Sequence, residues 1–416
     1  MGTLFKIAWR NVWRHGKRTA LTIVTMAFGL GLYIGMDSIL KGMDQGGLDN
    51  IVNLTDSSVR ISTIEYEEER RSLPLDYGIP DPDGLQAYLM QDPRVTATAG
   101  RTRFIGSMSN GVDAIPVMAV ALDPVLDAKV FRLPEHVDGS WFGNGGNKQV
   151  VMGYKLARDL GLELGDWVTL AARTRWDAQN ADDFVIVGLI NSTEPTINSS
   201  GVYISFADGE EFLELDGLRT EVVVRTEHRV NLKDSMADSD LLADAIVAAN
   251  PGLDAMSFGE VGRQFLQIAK VKSKGIGMII GIIMLIAGVG IANTVLMSVY
   301  SRIREIGVLR AFGLRPKDIS RLFIIEGGII GFVGAMAGVA FGIVLDIYFI
   351  YFGYPTESMM GDLDMGLPVW GNLYGEWNPD QMVFAAVFGI LVALFASRSP
   401  ARKAAKLEVT NALRFV

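Results

Sequence analysis

The stretch SRIREIGVLRAFGLRPKDISR, Ser301 to Arg321, decides how the rest of the chain reads. It lies between two glycine-rich apolar runs and carries six Lys or Arg (Arg302, Arg304, Arg310, Arg315, Lys317, Arg321) against two acids, Glu305 and Asp318. Such a surplus of cations beside a membrane span marks its cytoplasmic side. Ile303, Ile306, Leu309 and Phe312 recur at a spacing of about 3.6, which predicts a short helix with one apolar face and with Arg302 and Arg310 elsewhere on its circumference. Gly313 ends that helix, and Pro316 suits the first turn of the next. The stretch reads as a cytosolic loop between two spans.

Working outward, four apolar runs can cross a bilayer: Ala20 to Met36, Gly275 to Val299, Leu322 to Phe352 and Met382 to Ala396. Between the first two lies a polar block, Lys41 to Ser273, long enough to bury its own core. Charge is segregated around these runs. Lys6, Arg10, Arg14, Lys17 and Arg18 precede the first; Arg398, Arg402, Lys403, Lys406 and Arg414 follow the last. Gly353 to Gln381 holds Glu357, Asp362, Asp364, Glu376 and Asp380 with no Lys or Arg. Both termini and the basic loop are therefore expected in the cytosol, with the polar block and the acidic loop outside. The expected fold class is a membrane α-helical protein of four transmembrane helices plus an α+β extracytoplasmic domain inserted between the first and second spans. Its expected divisions are a cytosolic interfacial helix (1–19), span one (20–40), the outer domain with stalk helices at both ends (41–273), span two (274–299), a cytosolic loop (300–321), span three (322–352), a short outer loop (353–381), span four (382–397) and a cytosolic tail (398–416).

Within Thr3 to Arg18, Phe5, Trp9 and Trp13 share one helical stripe and Lys6, Arg10 and Arg14 the next, as in a helix lying on an anionic leaflet. Span one continues past Asp37 into Leu40, Met43, Leu48, Ile51 and Val52, and span two is preceded by Val261, Phe265, Ile268 and Ala269, so both helices are expected to project as stalks. In the outer block, Arg101 to Met108 and Asp113 to Ala121 flank Asn110-Gly111, a two-residue hairpin signal. QVVMGYKLARDLGLELGDWVTL reads as strand, short helix ending at Gly161, turn at Gly165-Asp166, and strand; FVIVGLI, GVYISF and TEVVVRT read as further strands. Ser239 to Asn250 reads as a capped helix stopped by Pro251-Gly252. The Gly- and Asn-rich segment Leu133 to Asn147 suggests two subdomains.

Small residues recur at intervals of four: Gly31 and Gly35, Gly277 and Gly281, Gly327 and Gly331, then Gly334, Gly338 and Gly342. That spacing puts each set on one helix face, where backbones approach closely. Glu326, about one turn inside span three, is expected to pair with a nearby Arg. Several chemistries are excluded. No G-x-x-x-x-G-K-[ST] is present, so no P-loop of this chain binds ATP. His15, His136 and His228 are far apart and cysteine is absent, which argues against zinc chemistry. A net charge of −9 argues against nucleic acid, and the run Glu65 to Glu69, followed by Arg70 and Arg71, reads as a solvated surface.

REIGVLRAFGLRPKDISRLFIIEGGIIGFVGAMAGVAFG, SPARKAAKLEVTNALRF, WRNVWRHGKRTALTIV and VVMGYKLARDLGLELGDWVTL together resemble the FtsX-like permeases of the MacB and LolC/LolE type. The resemblance implies a four-span permease in a bacterial inner membrane, paired with a second, identical or homologous permease and with two copies of an ABC ATPase. It also implies that the loop between spans two and three carries a coupling helix that fits the ATPase, giving Arg302, Glu305, Gly307, Arg310 and Gly313 a contact role. Pro400, Ala401, Arg402, Ala404, Leu413 and Arg414 match the family's tail motif. Relatives with a fused ATPase have it ahead of span one, and about nineteen residues precede that span here, so a separate ATPase is expected. Where LolC has a long hook, this sequence offers Arg173 to Asp183, RTRWDAQNADD, without proline.

The expected function is a permease without enzymatic activity of its own that couples a partner's ATP hydrolysis to movement of the outer domain, in lipoprotein release or efflux of an amphipathic cargo. The alternative is an FtsX-like transducer that regulates an extracytoplasmic cell-wall hydrolase. No cofactor is expected on this chain, ATP and Mg belonging to the ATPase. The remaining expected partners are membrane lipid and an extracytoplasmic cargo, adaptor or lipoprotein.

Overall fold

The computed structural model describes residues 2–14, 16–142, 147–227, 232–355 and 372–406. His15, His228, Glu357, Asp362, Asp364, Leu413 and Arg414 lie outside the described residues. The chain folds as two compact units, one comprising residues 2–43, 269–355 and 372–406, the other residues 44–268.

Among the described residues, four helices are long and apolar enough to cross a membrane: Gly16–Thr55, Phe258–Ser301, Pro316–Phe352 and Pro379–Ala405. We call them the first to fourth long helices. An N-terminal helix, Gly2–Arg14, precedes them and a short loop helix, Ile303–Ala311, joins the second to the third. The N-terminal helix is shorter than the expected 3–18. Its Ala8 and Val12 pack against Leu322, Ile329 and Ile330, while Phe5, Trp9 and Trp13 are exposed, so the aromatic stripe is the unburied one.

The third long helix packs between the first and the fourth, and its glycines explain how. A Cβ on Gly331 would lie 2.3 Å from Ala393, and one on Gly327 only 1.6 Å from the Ser397 hydroxyl, both on the fourth helix. Gly334, Gly338 and Gly342 meet Met26, Leu30 and Ile34 of the first helix, each at 2.7–2.8 Å from an added Cβ. The first helix answers with Gly31 under Phe341 and Gly35 under Leu345. Real Cβ atoms essentially never lie under 3.0 Å from a neighbour, so apart from Gly35, at 3.2 Å, these positions need glycine for the helices to come this close. The second helix differs. Nothing lies within 4 Å of a Cβ added at Gly277 or Gly281, and Met278, Ile282, Leu285 and Ile286 are exposed.

The sheet unit is built on strands β1 (Val59–Thr63), β2 (Val95–Ser109), β3 (Ala114–Leu122), β4 (Val137–Gly139), β5 (Gln149–Gly153), β6 (Trp167–Arg173), β7 (Gln179–Ile190), β8 (Gly201–Ser205), β9 (Glu221–Thr226) and β10 (Leu253–Ser257). They form one mixed sheet in the order β10-β1-β9-β2-β3-β8-β5-β7-β4, with β6 pairing β2 and β7. Alternation along each strand feeds two cores: Phe104, Met108 and Ala119 face Leu156, Phe184 and Phe212, whereas Val120, Leu122 and Tyr203 face Phe131 and Leu133.

Three local expectations change. The β2–β3 hairpin turns through four residues, not two, because Asn110 Oδ1 accepts from the backbone N–H groups of Val112 and Asp113 and holds Asn110–Asp113 as a loop. The helix expected from Ser239 begins at Leu232, and Ser239 sits inside it, its hydroxyl donating to the Met236 carbonyl. Strands on both sides of 133–147 belong to the same sheet, since β3 pairs β8 and β8 pairs β5, so the segment is no subdomain boundary. The turn positions Gly161 (φ +65°) and Gly165 (φ +92°) fall where expected. The segment 173–183 is the β6–β7 hairpin, with Trp176 exposed at its tip.

Candidate functional site

The loop helix starts where the second long helix ends and stops at Ala311, after which Gly313 takes φ +93° and Pro316 opens the third helix. Its inner side is apolar. Ile303, Ile306 and Gly307 are buried, and Ile306 joins a cluster with Val299, Ile319, Phe323, Ala401 and Ala404. Phe312 does not continue this face as its spacing suggested. The helix ends one residue earlier, and Phe312 is 85% exposed.

A charged network fixes the inner side. Arg302, only 6% exposed, donates through Nε to Glu305 Oε2 at 2.7 Å and through Nη1 to Glu326 Oε1 at 2.9 Å. Glu326 also accepts from Asn11 Nδ2 at 2.7 Å and from the Ser298 hydroxyl at 3.3 Å. Glu305 accepts from Arg14 Nη1 at 2.6 Å. The expected pairing of Glu326 with an Arg is thus made by Arg302, and the network joins the N-terminal helix, the end of the second helix, the loop helix and the third helix. Hydrogen bonds from Arg302, and then from Arg14, hold the Glu305 carboxyl below the usual carboxylate range.

The residues given a contact role therefore divide. Arg302 and Gly307 are buried, and the Arg302 side chain braces the loop from within. Glu305 is half-buried in the network. Arg310 is half-buried, with Nη1 3.5 Å from the Ala405 carbonyl, and Gly313 is exposed. The outward face consists instead of Arg304, Val308, Ala311, Phe312 and Arg315. Spacing alone missed it, because Phe312 fits the inward stripe at 3.6-residue intervals although it stands at the C-cap, where the backbone has already left the helix.

A second network lies in the sheet unit, at the end of the first long helix, which finishes in a π-helical turn, Ile51–Thr55. Arg103 Nη2 donates to the Thr55 carbonyl at 2.7 Å and Arg101 Nη1 to the same oxygen at 3.4 Å. Cations there complement the helix dipole and the unpaired carbonyls. Arg101 is held bidentately by Asp127 (2.6 and 2.9 Å), Arg103 by Glu221 (2.7 Å), and Arg60 by Asp56 and Glu67. Burial pushes the Asp56 carboxyl up, but Arg60, Arg103 and Arg70 outweigh it and hold the group below its ordinary value. In the same unit the two flanking helices lie side by side: a Cβ on Gly47 would be 2.5 Å from the Phe265 ring.

Four apolar helices, a braced basic loop helix and a folded β-rich unit define a polytopic membrane protein with a large hydrophilic domain. Comparison with known families is specific. Residues 19–242 match the MacB-like periplasmic core domain and residues 277–409 match the FtsX-like permease C-terminal family. The chain therefore belongs to the FtsX-like permeases that carry a MacB-like periplasmic core domain, and it is an ABC transporter permease of the Lol/MacB/FtsX type. It is 23% identical to the lipoprotein-releasing system transmembrane protein LolE of Haemophilus influenzae over 99% of each chain. It is 22% identical to LolC of Xylella fastidiosa, over 79% of this chain and 80% of that protein. It is 20% identical to the macrolide export ATP-binding/permease protein MacB of Nitrosomonas europaea, over 98% of this chain but 58% of that longer protein.

Proposed function

We propose that this chain is the permease subunit of a transporter in which a separate ABC ATPase, present in two copies and carrying ATP and Mg, drives movement of an extracytoplasmic domain. In this reading both termini and the loop helix face the cytosol of a bacterium with the permease in its inner membrane. Residues 41–273 lie outside, between the first and second spans. The observation that carries the reading is the division of the loop helix: a buried side fastened by Arg302 and Glu326 and an outward side led by the exposed Phe312. A helix so fastened passes a push from a docked ATPase to the second and third long helices instead of yielding to it. The absence of a P-loop motif from the sequence supports placing ATP on a partner.

The first and second long helices carry the motion outward. Each contributes residues to both units, and within the sheet unit their segments 44–50 and 258–268 pack on each other through Gly47 and Phe265. The clamp on Thr55 then passes the displacement into the sheet. A second permease, identical or homologous, covers the open Gly277 and Gly281 face of the second helix, where close backbone approach is still available. Cargo is a lipoprotein or an amphipathic molecule engaged outside the bilayer.

Phe312→Glu, on the outward face, tests the docking. The variant is expected to insert normally, while the ATPase subunit co-purifies less or turns over ATP without stimulation by cargo. Wild-type assembly and turnover would remove the loop helix from the coupling path.

A further inference from the structure

The sheet unit contains an open groove of about 1030 Å³, at the upper end of what small organic ligands occupy, about 300–1,000 Å³. Strands β2 and β3 form its floor, and the helices Ile64–Glu68 and Pro195–Ser200 line it as well. The floor is apolar and uncovered. Ile105 pairs with Met118 across the two strands, the two side chains are 51% and 47% exposed, and Pro116 beside them is exposed too. Apolar side chains set together on an exposed sheet face inside a charged rim mark a surface that something else covers.

The rim says what. Arg101, Arg103 and Arg70 are engaged by Asp127, Glu221, Asp56 and Glu67. Among the described residues, Glu68, Glu69, Glu194 and Arg71 line the groove with no ion-pair partner within 4.0 Å, three acids to one cation. Glu194 is half-buried, and its acceptor bonds from Asn50 Nδ2 and the Thr196 backbone are both long, at 3.4 Å. Burial pushes its carboxyl up, against hydrogen bonds from Thr196 and Asn50, and no cation among the described residues pairs with it. Tyr203, 5% exposed, also lines the groove, and its hydroxyl has no hydrogen-bond partner among the described residues. Burial pushes that phenol up to about 12, so it stays neutral and offers both a proton and lone pairs.

We propose that this groove binds an amphipathic organic cation, its apolar body on Ile105, Pro116 and Met118, its ammonium paired with Glu194 and accepted by the Tyr203 hydroxyl. Calling the ligand a cargo rests on the permease reading; the binding itself does not.

The test uses the full chain in lipid nanodiscs without ATPase or nucleotide, so that a failure of coupling and a failure of binding are read separately. Two fluorescent probes share one aromatic body: dansylcadaverine, which ends in an ammonium, and N-dansyl-6-aminohexanoic acid, which ends in a carboxylate. With empty nanodiscs subtracted, the cation is expected to bind saturably and the anion not. Glu194→Gln should weaken the cation about tenfold, the effect of losing one charge-assisted contact. Met118→Lys, at an exposed position, should abolish saturable binding. Both variants are expected to keep the wild-type unfolding midpoint. Equal binding of the two probes, no saturable binding of the cation, or saturable binding unchanged in both variants would each overturn the proposal.

Discussion

The two buried arginine networks solve one problem with different amounts of charge. At the loop helix one buried guanidinium, Arg302, serves both Glu305 and Glu326, the exposed Arg14 adds a second contact to Glu305, and neutral donors from Asn11 and Ser298 complete the buried carboxylate. At the end of the first long helix, Arg60, Arg70 and Arg103 all lie within 4 Å of Glu221, which is 0% exposed and whose Oε1 accepts no hydrogen bond. The smaller network leaves one helix face clear, as the proposed docking of an ATPase requires. The larger one closes around a helix end from several strands, as a clamp needs. Buried charge costs several kcal/mol per ion, so neither arrangement is explained by stability alone. Each fixes a geometry that an apolar contact would leave free to slide.

The comparison breaks most visibly at the carboxylates. Glu221→Leu should remove the buried carboxylate that three arginines share, leaving Arg60, Arg70 and Arg103 to Asp56 and Glu67, and destabilise the sheet unit by about 3–5 kcal/mol or more. Glu326→Leu takes the buried carboxylate from Arg302 and leaves it Glu305, and about 3 kcal/mol is expected. Adding Arg302→Met should restore most of that loss, because a paired apolar replacement removes the buried guanidinium as well. No single partner replacement should rescue Glu221→Leu. Denaturant unfolding of the full chain in detergent measures both. Rescue of Glu221→Leu by Arg103→Met alone would show the larger network to be a set of independent pairs.

A smaller effect separates the networks by pH. Asp56 is held below its ordinary value by Arg60, Arg103 and Arg70. A carboxyl with a lowered folded value binds its proton more readily when unfolded. Its stabilisation is therefore complete above the unfolded value, about 3.9, and is lost as pH falls through the folded one. Stability of the sheet unit should fall below about pH 4, and Asp56→Asn should flatten that slope while lowering stability at neutral pH. Glu305 shifts in the same direction, but its side chain is 42% exposed and solvent screens most of its contribution. Hydrogen exchange resolved along the chain should show the acid loss at 56–60 and 101–103 before the loop helix. The reverse order would mean that the clamp is not held by Asp56.

Much of the helical unit was legible because its signals are local. The basic loop, the stop at Gly313, the start at Pro316 and the need of Glu326 for an arginine all follow from residues within one or two turns of one another. The clamp was not legible. Arg101 and Arg103 stand two apart on β2, and so on one face, but their acids lie 26 and 118 positions away and only the sheet order brings them in. The glycine intervals were visible, yet spacing could not tell Gly331, pressed on Ala393, from Gly281, pressed on nothing. Arg302 and Phe312 exchanged their expected sides for a related reason. Helical spacing ranks apolar residues inward, but a buried acid at Glu326 draws the guanidinium in, and the end of the helix turns the ring out.

A photo-crosslinking residue placed at position 312 of the assembled transporter tests the central claim most directly. Irradiation should yield an adduct with the ATPase subunit, while the same residue at the buried position 307 should yield none. A complex that hydrolyses ATP in a cargo-dependent way, yet gives no ATPase adduct from position 312, would contradict the account.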